Sequence, residues 1–253
     1  MTHMDTRSLL RRTLPLSVRW RIRQARRVAN DRNSRVTFAT RVAAGDAYPF
    51  LIASYELPLR CYPGQEPYFE AKQRNLARAM AAIDRTLVRP GETFSFWRAV
   101  GRPTAARGYG AAAALRDGVL TQEVGGTLCL ASTIVYNVLL LAGPTVVERH
   151  CHSVDSYGDA RYYELGRDAA VEYAYRDLRA RNDAPEAILL RAMAGRDVVR
   201  AEAYVATAGA GTCKISVSAP RLDECGALHV RTHRIREGEQ PEDLGWSVYS
   251  RAK

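Results

Sequence analysis

Lysine occurs three times in this chain of 253 residues, histidine five times and cysteine five times. The cysteines, at 61, 129, 151, 213 and 225, include no CxxC pair, which argues against a ribbon or finger zinc site. An odd, scattered set of this kind predicts free thiols. No apolar run reaches the roughly 18 residues of a membrane-spanning helix. The longest opens near Ile134, and Asn137 interrupts it. A secretion signal is not expected either, because "RRTLPLSVRWRIRQARR" puts an arginine into each candidate apolar stretch. Internal repeats, low-complexity linkers and nucleic-acid motifs are also missing. Together these absences predict a cytoplasmic chain with no nucleic-acid partner.

The residues present describe a globular protein with an unusual head. Apolar residues make up 47% and charged residues 25%, enough to bury a sizeable core. Residues 1–41 hold eleven arginines against Asp5 and Asp31, +9 of the total charge of +10. The expected organisation is a basic N-terminal segment, 1–41, followed by a single α+β domain, 42–253. Leu9, Leu10, Leu14, Leu16, Val18, Trp20 and Ile22 stand among those arginines. A solvated helix is the simplest reading, and residues 7–41 are also suited to peripheral contact with an anionic membrane.

Periodicity sketches the elements. "YPFLIASYELPLRCY" reads as strand broken near Pro58. Phe69, Leu76, Met80, Ile83 and Leu87 recur at helical spacing. "PTVVERHCHS" reads as a strand, and "ARYYELGRDAAVEYAYRDLRARND" as a hairpin broken at Leu165–Gly166. Ile188 to Val217 suggests further hairpins, while the last thirty residues give no clear pattern. Helices early and strands late point to α+β.

The most informative stretch is "EVGGTLCLASTIVYNVLLLAG", residues 123–143. Wound as a helix, it stacks Ser132 on Tyr136 and Thr133 on Asn137 in one narrow polar stripe, with Cys129 at its top. The remaining circumference is apolar, so the helix should be buried nearly all round. Gly125 and Gly126 permit a close backbone approach just before it. A cysteine in the first helical turn gains from free N–H groups and the helix dipole, which favour a thiolate.

A thiolate nucleophile needs a base, and the base needs an orienting group. Two of the five histidines, His150 and His152, lie in "RHCHS", where a strand would put both on one face and Cys151 on the other. Asp168 follows His152 by sixteen residues, so an antiparallel return would bring it alongside. Asp155 and Asp159 are nearer but fall in an expected loop. The order is then a cysteine on a buried helix, a histidine on a strand and an aspartate on the next, as in transglutaminases and papain-like enzymes. His150, His152, Cys129 and a carboxylate also make a possible zinc set. The plainest alternative is a small buried thiol beside two structural imidazoles.

The segments "CYPGQEPYFEAKQRNLARAM", "RPGETFSFWRAVG", "GGTLCLAST", "VVERHCHS" and "GRDAAVEYAYRDLRARND", in that order, resemble the VanW family, named after an accessory protein in a vancomycin-resistance gene cluster. The likeness covers roughly residues 50 to 185. It implies an association with antibiotic resistance or cell-wall peptides, and it points to Gly125, Gly126, Cys129, His150, His152, Gly166 and Asp168. The chain departs from the family pattern at Thr127, where a third glycine is common, and at Leu130, where a glutamine is frequent.

Three functions are compatible with these residues. In the first, Cys129 attacks an amide or ester carbonyl of a peptide-like substrate, His152 handles the proton and Asp168 fixes the imidazole. His150, Gly125, Gly126, Ser132 and Tyr136 support the site or touch substrate, and no cofactor is required. In the second, the same pocket binds a peptide or cell-wall precursor without catalysis. In the third, His150, His152 and a carboxylate hold zinc for hydrolysis.

Overall fold

The computed structural model describes residues 15–42, 47–116, 119–155, 158, 161–209 and 212–251. Its main layer is a five-stranded antiparallel sheet. The strands are β1 (Thr40–Arg41), β2 (Phe50–Pro58), β3 (Thr86–Val88), β10 (Ile188–Ala194) and β11 (Val198–Val205), in the order β1-β3-β10-β11-β2. Strand β11 shows why this sheet is one-sided: Val199, Ala201, Ala203 and Val205 alternate inward while Arg200, Glu202 and Tyr204 face out. Two helices cover the inner face, α2 (Phe69–Ile83) and α4 (Leu128–Ala142). Leu76, Met80 and Ile83 of α2 are fully buried. Leu87, expected to continue that helix, belongs instead to β3, because Arg85 takes a left-handed backbone (φ 63°) and ends the helix.

Helix α4 is buried on nearly every side, from Leu130 to Leu140 without a break. Around this core stand three smaller sheets. Strands β4 (Thr93–Ser95), β9 (Arg179–Arg181) and β7 (Thr145–Glu148) pair in that order, and a short helix α3 (Phe96–Val100) follows β4. Strands β5 (Ala111–Arg116) and β6 (Val119–Val124) form a hairpin leading directly into α4. The C-terminal sheet holds β12 (Lys214–Val217), β14 (Leu228–Ile235), β15 (Glu242–Arg251) and β8 (Val154–Asp155), with β13 (Arg221–Leu222) beside β14. The residues that gave no clear sequence pattern thus contain a long hairpin. It has its own small core of Tyr163, Leu165, Val230 and Tyr249.

Helix α1 (Leu16–Asn33) carries the described part of the basic head and is docked by charge. Arg27 pairs with Glu148, Asp31 with Arg179, and Arg102 lies over the Trp20 ring at 4.5 Å. Leu9, Leu10 and the rest of residues 1–14 lie outside the described residues. Among those described, no helix is long and apolar enough to cross a membrane.

Two expected strand stretches are shorter than their sequence pattern suggests, with only β7 and β9 formed from them. Strand β7 stops at Glu148, so His150 and His152 sit on irregular chain and strand alternation does not apply to them. The region 161–178 is likewise a folded loop with one isolated bridge, Glu172 to Arg176. The physical reason is shared: the partner of the His152 N–H is not another backbone but the Asp168 carboxylate, at 2.7 Å.

Candidate active site

The polar stripe of α4 has a defined partner, the backbone of residues 167–171. Asn137 donates to the Arg167 carbonyl (2.8 Å) and accepts from Arg167 Nε (2.7 Å). Thr133 accepts the Ala169 N–H (3.0 Å), and Ser132 donates to the Ala169 carbonyl (2.6 Å). At the top of the stripe the Cys129 sulfur accepts the Val171 N–H (3.4 Å) and its thiol donates to the Val171 carbonyl (3.6 Å). Each step satisfies one donor and one acceptor. Buried hydroxyl and amide groups inside an apolar helix would otherwise be costly.

The loop so anchored carries Asp168, which is fully buried. Its Oδ2 faces His152 Nδ1 at 2.5 Å and accepts the His152 backbone N–H. Its Oδ1 accepts from the Tyr249 hydroxyl (2.5 Å) and from Arg149 Nη2 (2.7 Å). Arg149 also donates Nε to the Asp168 carbonyl (2.7 Å) and Nη1 to Ser247 Oγ (2.6 Å). His152 is 9% exposed, stacks on Tyr163, and interacts with the Cys129 side chain by hydrogen bond and charge. Cys129, His152 and Asp168 therefore form one connected chain.

Electrostatics polarises that chain. Burial opposes ionisation of Cys129, but the hydrogen bond and charge of His152, together with the Val171 N–H, outweigh it and lower the thiol's pKa. Burial likewise opposes protonation of His152, yet hydrogen bonds to Asp168 and Cys129 push its pKa up to about 10. Asp168 is held below the usual carboxylate range despite burial, by His152 and Arg149. Tyr249 is pushed up by burial and by the Asp168 charge, so it remains a donor. Both shifts act in the same sense, toward a thiolate beside an imidazolium.

The site opens into a cleft of about 380 Å³, lined among others by Trp97, Tyr162, Tyr173 and Lys72. Gly126 is required here: a Cβ at this position would meet the Ala112 carbonyl oxygen at 2.1 Å, so strand β5 presses directly on the entry to α4. Gly125 has φ 82° and packs on Pro103. Thr127 is left-handed at φ 72° and closes the tight entry one residue before the helix.

The remaining sequence candidates fall elsewhere. His150 sits apart from the chain, with Nε2 3.2 Å from Glu148, so the two imidazoles engage different carboxylates. Asp155 pairs with Arg161, and Asp159 lies outside the described residues. Among the described residues no group of three or more His, Cys, Asp and Glu side chains is arranged to hold a metal ion. Tyr136 lies under the Arg149 guanidinium at 5.3 Å. Sequence reasoning missed Arg149 and Tyr249. Arg149 stands immediately before the histidine pair, between Glu148 and His150. Tyr249 was visible only as the aromatic of "WSVYS", 81 residues from its partner.

Fold and site define an α+β protein with a buried Cys–His–Asp hydrogen-bonded chain at the floor of a cleft. A family model described as "VanW like protein" matches residues 71–204, more than half of the sequence, and the chain belongs to that family. It is 35% identical over 123 residues to "Uncharacterized protein YoaR" of Bacillus subtilis (strain 168), covering 49% of this chain and 39% of that protein. It is 34% identical over 117 residues to "Vancomycin B-type resistance protein VanW" of Enterococcus faecalis (strain ATCC 700802 / V583), covering 46% of this chain and 42% of that protein. The match thus spans about four tenths of the length of each of these relatives. No solved structure matches the chain.

Proposed function

We propose that this protein is a cysteine-dependent hydrolase or acyltransferase acting on an amide or ester of a peptide-like substrate, of the kind found in cell walls or related natural products. The observation that carries the reading is the hydrogen-bonded chain from Cys129 through His152 to Asp168, opening into a cleft. The Cys129 thiolate attacks the substrate carbonyl carbon. The carbon–nitrogen or carbon–oxygen bond breaks, and the His152 imidazolium gives its proton to the leaving group. Water or an amine, deprotonated by His152, then attacks the thioester and releases the thiolate. Asp168 holds the imidazole in the productive tautomer through Nδ1. The Leu128 and Cys129 N–H groups open the first turn of α4 and are suited to the developing oxyanion, whereas the Leu130 N–H is taken by the Thr127 carbonyl at 3.0 Å. The name of one relative, "Vancomycin B-type resistance protein VanW", supports the cell-wall class of substrate.

The test is the pH dependence of iodoacetamide alkylation, read cysteine by cysteine by mass spectrometry. Cys61, Cys151, Cys213 and Cys225 are internal controls. Cys129 is expected to react with an apparent pKa well below the ~8.5 of a free thiol, and to lose that advantage in His152→Ala. A Cys129 that stays inert, or that titrates like exposed Cys61 and Cys225, would sink the nucleophile and leave a non-catalytic binding module.

A further inference from the structure

The cleft holds more positive charge than its own side chains neutralise. Arg60, Lys72, Arg102 and Arg176 line it against two carboxylates, Glu123 and Glu172, and among the described residues no salt bridge joins any of the four to a carboxylate. Lys72 is the unusual member. It lies on α2 with only 7% of its surface exposed, deeper than lysines are ordinarily found. Its ammonium donates to the Arg60 carbonyl at 2.7 Å and stands 5.4 Å from the Tyr62 ring centroid. Both partners are neutral. A buried ammonium without a counter-charge is expensive, and proteins bury lysine in this way when something else completes the pair. Burial holds its pKa below the usual lysine value, with the Cys61 thiol acting in the opposite direction.

The position of Lys72 ties it to the reacting end. Asn75, one helical turn further along α2, donates to the carbonyls of Gly110 (2.9 Å) and Gly126 (3.1 Å). It also accepts the Gly110 N–H (2.8 Å). The same face of α2 therefore fixes the entry to α4 and presents the ammonium to the cleft. Lys72 and Cys129 line the same cleft.

We propose that Lys72 is the subsite for a carboxylate on the substrate, so that the preferred ligand is a peptide with a free acidic group remote from the bond attacked. Arg60 adds charge at the same end, and Arg102 and Arg176 bias the whole cleft toward anions. The inference rests on the catalytic reading only for the word substrate, since the binding preference is measurable without chemistry.

The experiment is a titration of the full chain with N-acetyl-tetraalanine and with its C-terminal amide, followed by intrinsic fluorescence, since Trp20 and Trp97 line the cleft. The free carboxylate is expected to bind at least about tenfold more tightly than the amide. Lys72→Met should bring the two affinities together while leaving the amide's unchanged, and Lys72→Arg should restore most of the preference. Equal binding in the wild type, a preference that survives Lys72→Met, or no binding of either peptide overturns the proposal. So does loss of amide binding in both variants, which would make Lys72 a prop for the chain around Arg60. Alkylation of Cys129 separates the two claims. An inert thiol with an intact carboxylate preference removes the catalysis and keeps the subsite; a reactive thiol with no preference does the reverse.

Discussion

Helix α4 and helix α1 both turn polar residues toward the body of the protein, yet they are held in different ways. Along α4, hydroxyl and amide groups and the Cys129 sulfur meet backbone N–H and carbonyl groups of residues 167–171, in buried or partly buried hydrogen bonds. Along α1, guanidinium and carboxylate groups meet in partly buried ion pairs, Arg27 with Glu148 and Asp31 with Arg179. The first kind of contact is insensitive to salt and is costly to break, because its partners would be left dry and unpaired. The second is screened by salt and shares its charges among several partners. The site hangs from the first kind, and the wall that carries Trp20 is attached by the second.

The most severe break is Asp168→Ala. It leaves Arg149 and His152 as buried cations without their carboxylate, and chemical denaturation should show a loss of about 3–5 kcal/mol. A loss under about 1 kcal/mol would mean that Asp168 does not hold the seam together. Next comes Asn137→Ala, which strands the Arg167 carbonyl. The expected cost is about 1–3 kcal/mol, equal within error at low and high salt. A strong salt dependence would erase the distinction between the two helices. The smallest effect belongs to Asp31→Ala, because Arg179 keeps Asp177 at 2.9 Å and Glu148 at 3.6 Å. A cost of about 1 kcal/mol or less, shrinking further in 1 M salt, would sharpen the contrast. A cost as large as that of Asn137→Ala would break it.

The same contrast explains what the sequence made legible. Helix α4, its burial and its stripe of Ser132, Thr133 and Asn137 follow from helical periodicity alone, which is a local property. The inward alternation of β11 is local as well. The segments around His152 and Asp168 misled because β-rich composition predicts strands only where another backbone supplies the ladder. Here a carboxylate supplies the partner for His152, and helix side chains supply those for Ala169 and Val171. Tyr249 could not be found by spacing, since it meets Asp168 only through the packing of the C-terminal hairpin, whereas Arg149 reaches the same carboxylate from three residues before His152. The approach of Cys129, His152 and Asp168 was readable as an order along the chain, but not as a geometry.

The seam between α4 and the loop also behaves as a gauge of length. Its steps join Cys129 to Val171, Thr133 to Ala169 and Asn137 to Arg167, four residues along the helix for every two along the loop. Four helical residues advance about 6.0 Å, and two residues of extended chain about 6.6 Å. The two tracks stay in phase over this distance and would drift apart over a longer one. Inserting or deleting a single residue between Arg167 and Val171 would therefore present side chains where peptide groups now meet the helix. It would also carry the Asp168 carboxylate away from the imidazole, however conservative the change looked in an alignment.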